Sequence, residues 1–262
     1  MIYISNAGQN FMQLLCTVFL ASVTFAGNAV EIQVVSSGGF AEAYKELAHD
    51  YEKDSSNKLV SNWGPSMGET KNAIPLRLKR GENLDVVIMV GDALDNLMTQ
   101  GQLVAGSKVL LANSPIACAV KSGTKKYDIS TVDNLRKTLL EVKSFAYSDS
   151  ASGEYIKIQL LNKLGIFDQM QGKARKIPAT PVGEIVANGD AEFGCQQRSE
   201  IMAVKGIDMV GLLPKEVQLN TIFSAAVVQT SKIPKEAGDF LKYISSPLHA
   251  DKIRATGLDP LN

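Results

Sequence analysis

Hydrophobic and polar positions along residues 30–262 follow two rhythms. Short apolar runs at 31–36, 58–63, 85–90, 116–120, 144–147, 192–195, 208–213 and 222–228 read as strands. Between them the spacing lengthens. Phe40, Ala43, Tyr44, Leu47 and Tyr51 recur every three or four residues and predict a helix after the turn at Gly38 and Gly39. A second helical pattern runs to Arg80, interrupted by Pro75; a third covers 153–164 and stops at Gly165; amphipathic segments at 235–244 and 247–255 close the chain. The run at 85–90 is continuously apolar, the pattern of a strand covered on both faces. Strands separated by helices argue for an α/β fold with right-handed crossovers. With no low-complexity linker, the arrangement expected is two α/β lobes connected by strands. Lobe 1 takes residues 30–113 plus 224–262, and lobe 2 takes 114–223.

The N-terminal 29 residues break this pattern and read as a signal peptide. Their apolar stretch at 11–21 is short for a membrane span, and Ala26, Gly27 and Ala29 supply small residues for cleavage. No Lys or Arg precedes the stretch, which departs from the usual signal. The expected location is therefore the periplasm, with Cys16 leaving in the signal. Cys118 and Cys195 remain; export permits a disulfide, while their apolar surroundings suggest buried strand thiols, and spacing alone leaves both open. His49 and His249 lie among charged neighbours on helical segments, and no metal-ligand spacing appears. Acidic and basic residues number 27 each, so no nucleic-acid partner is indicated.

Candidate chemistry collects at strand-to-helix turns. Ser36, Ser37, Gly38 and Gly39 form one; Ser66 sits in a second; the stretch SDSASGEY, with Asp149, Ser150 and Ser152, forms a third. A helix start leaves backbone N–H groups unpaired and partly positive, and small hydroxyl residues and glycine let an anion reach them. Each turn taken singly is also an ordinary helix cap. A fourth turn carries Gln197 and Arg198. Arg198 suits a carboxylate held by two parallel hydrogen bonds; its alternative is a surface pair with Glu200 or Glu192.

From about residue 31 onward the chain resembles the periplasmic molybdate-binding proteins of the type 2 periplasmic-binding-protein fold. The resemblance is carried by VSSGGFAEAY at 35–44, NWGPS at 62–66, GENLDVVI at 81–88, the 148–155 turn, and the ending around Pro247 and Gly257 to Pro260. It implies two lobes, each a mixed sheet flanked by helices, joined by two crossover strands and closing over an anion. The family's contacts fall on the first turn, Ser66, Ser152 and the backbone of Val182. Its first-turn serine falls on Gly39, with Ser36 and Ser37 shifted upstream, and its second-lobe tyrosine falls near Gln197, beside Arg198; the added Arg and Gln residues favour a larger ligand with planar carboxylates. The sequence is also similar to the bacterial aconitate isomerases. That likeness implies interconversion of trans- and cis-aconitate by an allylic 1,3-proton shift, with no cofactor or metal and a tricarboxylate anion as ligand. Asp149 and Glu184 are then the candidate proton carriers. The alternative is a non-catalytic carrier of a tricarboxylate or an oxyanion such as molybdate, with a membrane permease as partner. A monomer is expected in either case.

Overall fold

The computed structural model describes residues 1–3 and 29–261, so the segment read as a signal peptide lies almost wholly outside the described residues. The elements in chain order are β1 (Glu31–Ser36), α1 (Gly38–Asp54), β2 (Lys58–Trp63), α2 (Ile74–Lys79), β3 (Val86–Val90), α3 (Gly91–Thr99) and β4 (Val109–Lys121). There follow α4 (Val132–Glu141), β5 (Phe145–Ser148), α5 (Ala151–Tyr155), α6 (Leu161–Lys163), α7 (Phe167–Met170), β6 (Ala174–Ile177) and α8 (Val182–Asn188). The chain ends with β7 (Phe193–Gln197), α9 (Arg198–Met202), β8 (Ile207–Leu212), β9 (Asn220–Val227), α10 (Pro234–Ile244), α11 (Ala250–Ala255) and β10 (Asp259–Pro260).

The strands run β2-β1-β3-β9-β4-β7-β5-β6, with β8 and β10 also pairing with β4. Each half of this order is mixed. In the first, β1 lies parallel to β2 and β3, and β9 runs against β3 and β4. In the second, β5 lies parallel to β6 and β7, while β7 and β8 run against β4. Strand β4 belongs to both: residues 109–115 pair with β9, and residues from 116 onward pair with β7 and β8. This is the mixed two-lobe architecture expected, with β4 crossing outward and the chain returning into β9.

Side-chain alternation explains why the halves are covered on both faces. On β3, Val86, Ile88 and Val90 join one cluster with α1 and α10, while Val87 and Met89 join another with Leu94 and Leu97 of α3. In the second half, Phe145, Tyr147 and Phe193 pack on one face, and Ala146 packs with Val182 and Val186 on the other. Gln218 brackets the crossing point. Its Oε1 accepts from the Ile116 N–H at 2.9 Å, and its Nε2 donates to the carbonyls of Ile116 at 3.0 Å and Leu213 at 3.3 Å.

Three local expectations change. Strand β4 is much longer than the run at 116–120, because Pro115 falls where the strand changes partners and its missing N–H is tolerated. Pro75 does not interrupt a helix; it lies in the first turn of α2, where it suits helix geometry. The helix expected over 153–164 starts at Ala151 and passes through a π-helical turn at Ile156–Leu160 before stopping at Gly165, whose φ is 63°. The cysteines are paired rather than free: Cys118 and Cys195 stand opposite one another on β4 and β7, Cα atoms 4.1 Å apart, and form a buried disulfide.

Candidate functional site

Helices α1, α5, α8 and α9 begin just after β1, β5, β6 and β7, and residues at all four starts line one cavity of ≈ 390 Å³. Ligands in open α/β sheets bind at such carboxyl ends of strands, in the crevice where topology switches. Helix α1 contributes most to the field: it has 17 residues and no acid in its first turn, so its positive end is not neutralised from within the helix. Ser37, Gly38 and Gly39 form this end of the lining.

Ser37 occupies the N-cap position of α1, but its side chain makes no capping bond. Its hydroxyl is buried without a hydrogen-bond partner, and an unpaired buried hydroxyl is costly unless a ligand meets it. Gly39 has a steric reason: a methyl group there would collide with the Phe223 ring. In the β5–α5 turn, Asp149, Ser150 and Ser152 all line the cavity. Ser150 makes no side-chain cap either, and Ser152 shares a 3.1 Å hydrogen bond with Ser148. Gln197, at the end of β7, donates through Nε2 to Thr221 Oγ1 at 2.9 Å, while its Oε1 is buried and unpaired. The Thr221 hydroxyl can donate or accept, so turning the amide over keeps that bond and frees an NH₂ for an anion. Glu184 also lines the cavity, on the exposed face of α8.

Four expected residues do not reach the lining. Ser36 is buried and donates to the Ser37 carbonyl at 3.1 Å. Ser66 accepts from the Val90 N–H at 3.0 Å and braces the end of β3. The Val182 N–H is taken by Gln196 Oε1 at 2.8 Å, so it is not left over for a ligand. Arg198 donates to the Gly257 carbonyl and to Asp259 Oδ1 at 2.8 Å, tying α9 to the C-terminal segment. It pairs with neither Glu200 nor Glu192; the latter accepts instead from the Tyr127 hydroxyl.

The structure supplies what the sequence reading passed over. Glu200 lines the cavity, its Oε1 so close to Gly38 that a methyl group there would collide with it. Burial pushes its carboxyl up to about 8, with the nearby Asp149 charge adding to the rise and a Gln196 hydrogen bond opposing it. Lys45 is the one cation among the described lining residues; it pairs with Glu42 at 2.6 Å and stands 5.5 Å from the centre of the Trp63 ring. Asp149, Glu184, Glu200 and Glu42 make the lining rich in carboxyls. A helical step of about 100° per residue places Arg198 and Glu200 on opposite sides of α9, so the spacing could have shown that only one of them faces inward.

Comparison with known proteins agrees with the fold. The sequence profile of the bacterial extracellular solute-binding proteins matches residues 32–259. The chain belongs to that family. Within it, the chain is 46% identical to an aconitate isomerase of Pseudomonas sp. over 88% of each chain. It is 23% identical to the molybdate-binding protein ModA of Azotobacter vinelandii, over 88% of this chain and 91% of that one. The solved structure of the periplasmic molybdate-binding protein of Azotobacter vinelandii superposes with a TM-score of 0.68 at 19% identity, covering 87% of this chain and 98% of the other. The solute-binding fold is thus shared at low identity with oxyanion binders, while the higher sequence identity is to an enzyme.

Proposed function

We propose that this solute-binding-fold protein is an aconitate isomerase, interconverting trans- and cis-aconitate by an allylic 1,3-proton shift in the cavity. The observation that carries the reading is the 46% identity, over 88% of each chain, to an aconitate isomerase. The site's chemistry supports it. Ser37, Gln197 and the start of α1 offer neutral donors to carboxylates, and Lys45 offers a charge. Such donors also stabilise the dienolate that forms when a methylene proton leaves. The shift transfers no electrons to or from a partner, so the reading requires no cofactor. Asp149, half-buried in the lining, is better placed as a proton carrier than exposed Glu184. The buried disulfide fits an oxidising compartment and supports a periplasmic location.

A second reading, a non-catalytic carrier of an anion to a permease, is favoured by the family itself and by the molybdate-binding relatives. Incubation of the purified protein with trans-aconitate, followed by proton NMR, separates the two. The isomerase reading expects cis-aconitate to appear; tight binding with no conversion overturns it.

A further inference from the structure

We propose that Asp149 and Glu200 are the proton-moving pair of this site, Asp149 taking the methylene proton while Glu200 delivers one to the other allylic carbon. The proposal rests on the isomerase reading and deepens it. Both residues line the cavity from the second half of the molecule, at junctions that follow the adjacent strands β5 and β7, and Asp149 also lines a neighbouring pocket beside Gly68. Both abut glycines of the first half. Asp149 Oδ2 lies 3.9 Å from where a Cβ on Gly68 would stand, and Glu200 Oε1 lies against Gly38. A side chain on Gly38 would displace Glu200, and Gly68 has φ 99°, a conformation other residues rarely adopt.

Glu200 is also held in place by the two residues before it. Ser199 Oγ donates to the Gly39 carbonyl at 2.7 Å, and Arg198 is anchored on Gly257 and Asp259. Two consecutive residues of α9 therefore dock the helix on the first half, and the third presents a carboxyl to the cavity. The other titratable groups of the lining are Glu42 and Lys45 on α1, paired with each other, and Glu184 on α8. None follows two docked residues in this way.

The two acids are suited to opposite tasks. Glu200, pushed up to about 8 by burial and by the Asp149 charge, holds its proton at neutral pH and serves as the acid. The Asp149 carboxylate serves as the base. As the methylene C–H bond breaks, its proton forms an O–H bond on Asp149 and its electron pair becomes the new C=C bond. The electrons of the old double bond pass onto the adjoining carboxylate, giving the dienolate, and return to take the Glu200 proton at the far carbon. Asp149 ends protonated and Glu200 ionised, and a proton passed between them, directly or through water, restores the start. In the reverse direction the roles exchange.

The test uses the full chain, trans-aconitate in deuterated water, and proton NMR. Glu200→Gln should still bind trans-aconitate by calorimetry and still exchange its methylene protons with solvent, yet lose cis-aconitate formation by roughly 10²–10⁴-fold. Asp149→Asn should lose both exchange and conversion. Wild-type turnover should fall as pH rises through about 8, which keeps the proposal testable if either variant fails to fold. Conversion by Glu200→Gln at the wild-type rate, exchange by Asp149→Asn at the wild-type rate, or a wild-type profile flat through that pH overturns the pairing alone. A wild-type protein that binds trans-aconitate but neither converts it nor exchanges its protons overturns the isomerase reading as well.

Discussion

The β5–α5 and β7–α9 junctions face the same cavity from neighbouring strands, yet they work differently. The first is dense in serines, and much of its polarity is spent locally: Ser148 bonds Ser152, and the Ser150 N–H donates to Ser148 Oγ at 3.4 Å. The second carries Arg198, Ser199 and Glu200, whose side chains divide between docking and the cavity. Hydroxyls that satisfy one another shape a wall. A short helix clamped on its outer side can instead hold one costly carboxyl where it would not otherwise stay. Residue type alone pointed to Arg198 as the ligand's partner; helix geometry turned it outward and brought its neighbour in.

The largest expected difference between the junctions is catalytic. Glu200→Gln should cost roughly 10²–10⁴-fold in turnover, whereas Ser150→Ala should change it little; equal losses would erase the distinction. Next comes the strand that carries the second junction. Reducing the Cys118–Cys195 bridge, which spans 77 residues, should remove ~4 kcal/mol of stability and lower the melting temperature by about 10 °C. Native-state hydrogen exchange should show β7 and α9 loosening first, because Cys195 lies on β7. Uniform loosening of both junctions would contradict that order.

The buried carboxyl itself sets a smaller effect with a definite sign. An unfolded Glu titrates near roughly 4.3, whereas folded Glu200 holds its proton up to about 8. Its contribution to stability is therefore complete in acid and is lost as pH rises through that window. Glu200→Gln should melt a few degrees above wild type at neutral pH, and the gap should close in acid; a pH-independent gap would refute the assignment. Ser37→Ala should weaken trans-aconitate binding by roughly tenfold, the scale of one hydrogen bond to a charged group. Smallest is the anchor. Arg198→Ala and Asp259→Ala should each weaken binding only a few-fold, and the double variant no further, because the pair is partly solvent-exposed. A loss of a hundredfold or more for Arg198→Ala alone would return that side chain to the ligand.

Much of the fold was legible because periodicity reports burial directly. The residues expected to face the core from α1 are all buried, and β1 and β2 fall where their apolar runs lie. Strand β4 extends well before the apolar run at 116–120, through Pro115, where its pairing partner changes. At the site, Ser37, Asp149 and Ser152 reach the cavity lining because helix starts after strands are readable in the sequence. Ser66 and Val182 lie outside the lining because their polar groups bond to Val90 and Gln196, partners on strands β3 and β7 that the turn sequences do not reveal. Glu200 was missed for a similar reason: its environment is made by Gly38 and Asp149, neither near it in sequence. The cysteine pairing needed the register of β4 against β7, which no spacing encodes.

The most direct measurement is proton NMR of the wild-type protein with trans-aconitate in deuterated water. The account predicts that cis-aconitate accumulates to equilibrium and that solvent deuterium enters at the allylic carbons. Trans-aconitate that binds and remains unchanged, with its methylene protons unexchanged, would contradict it.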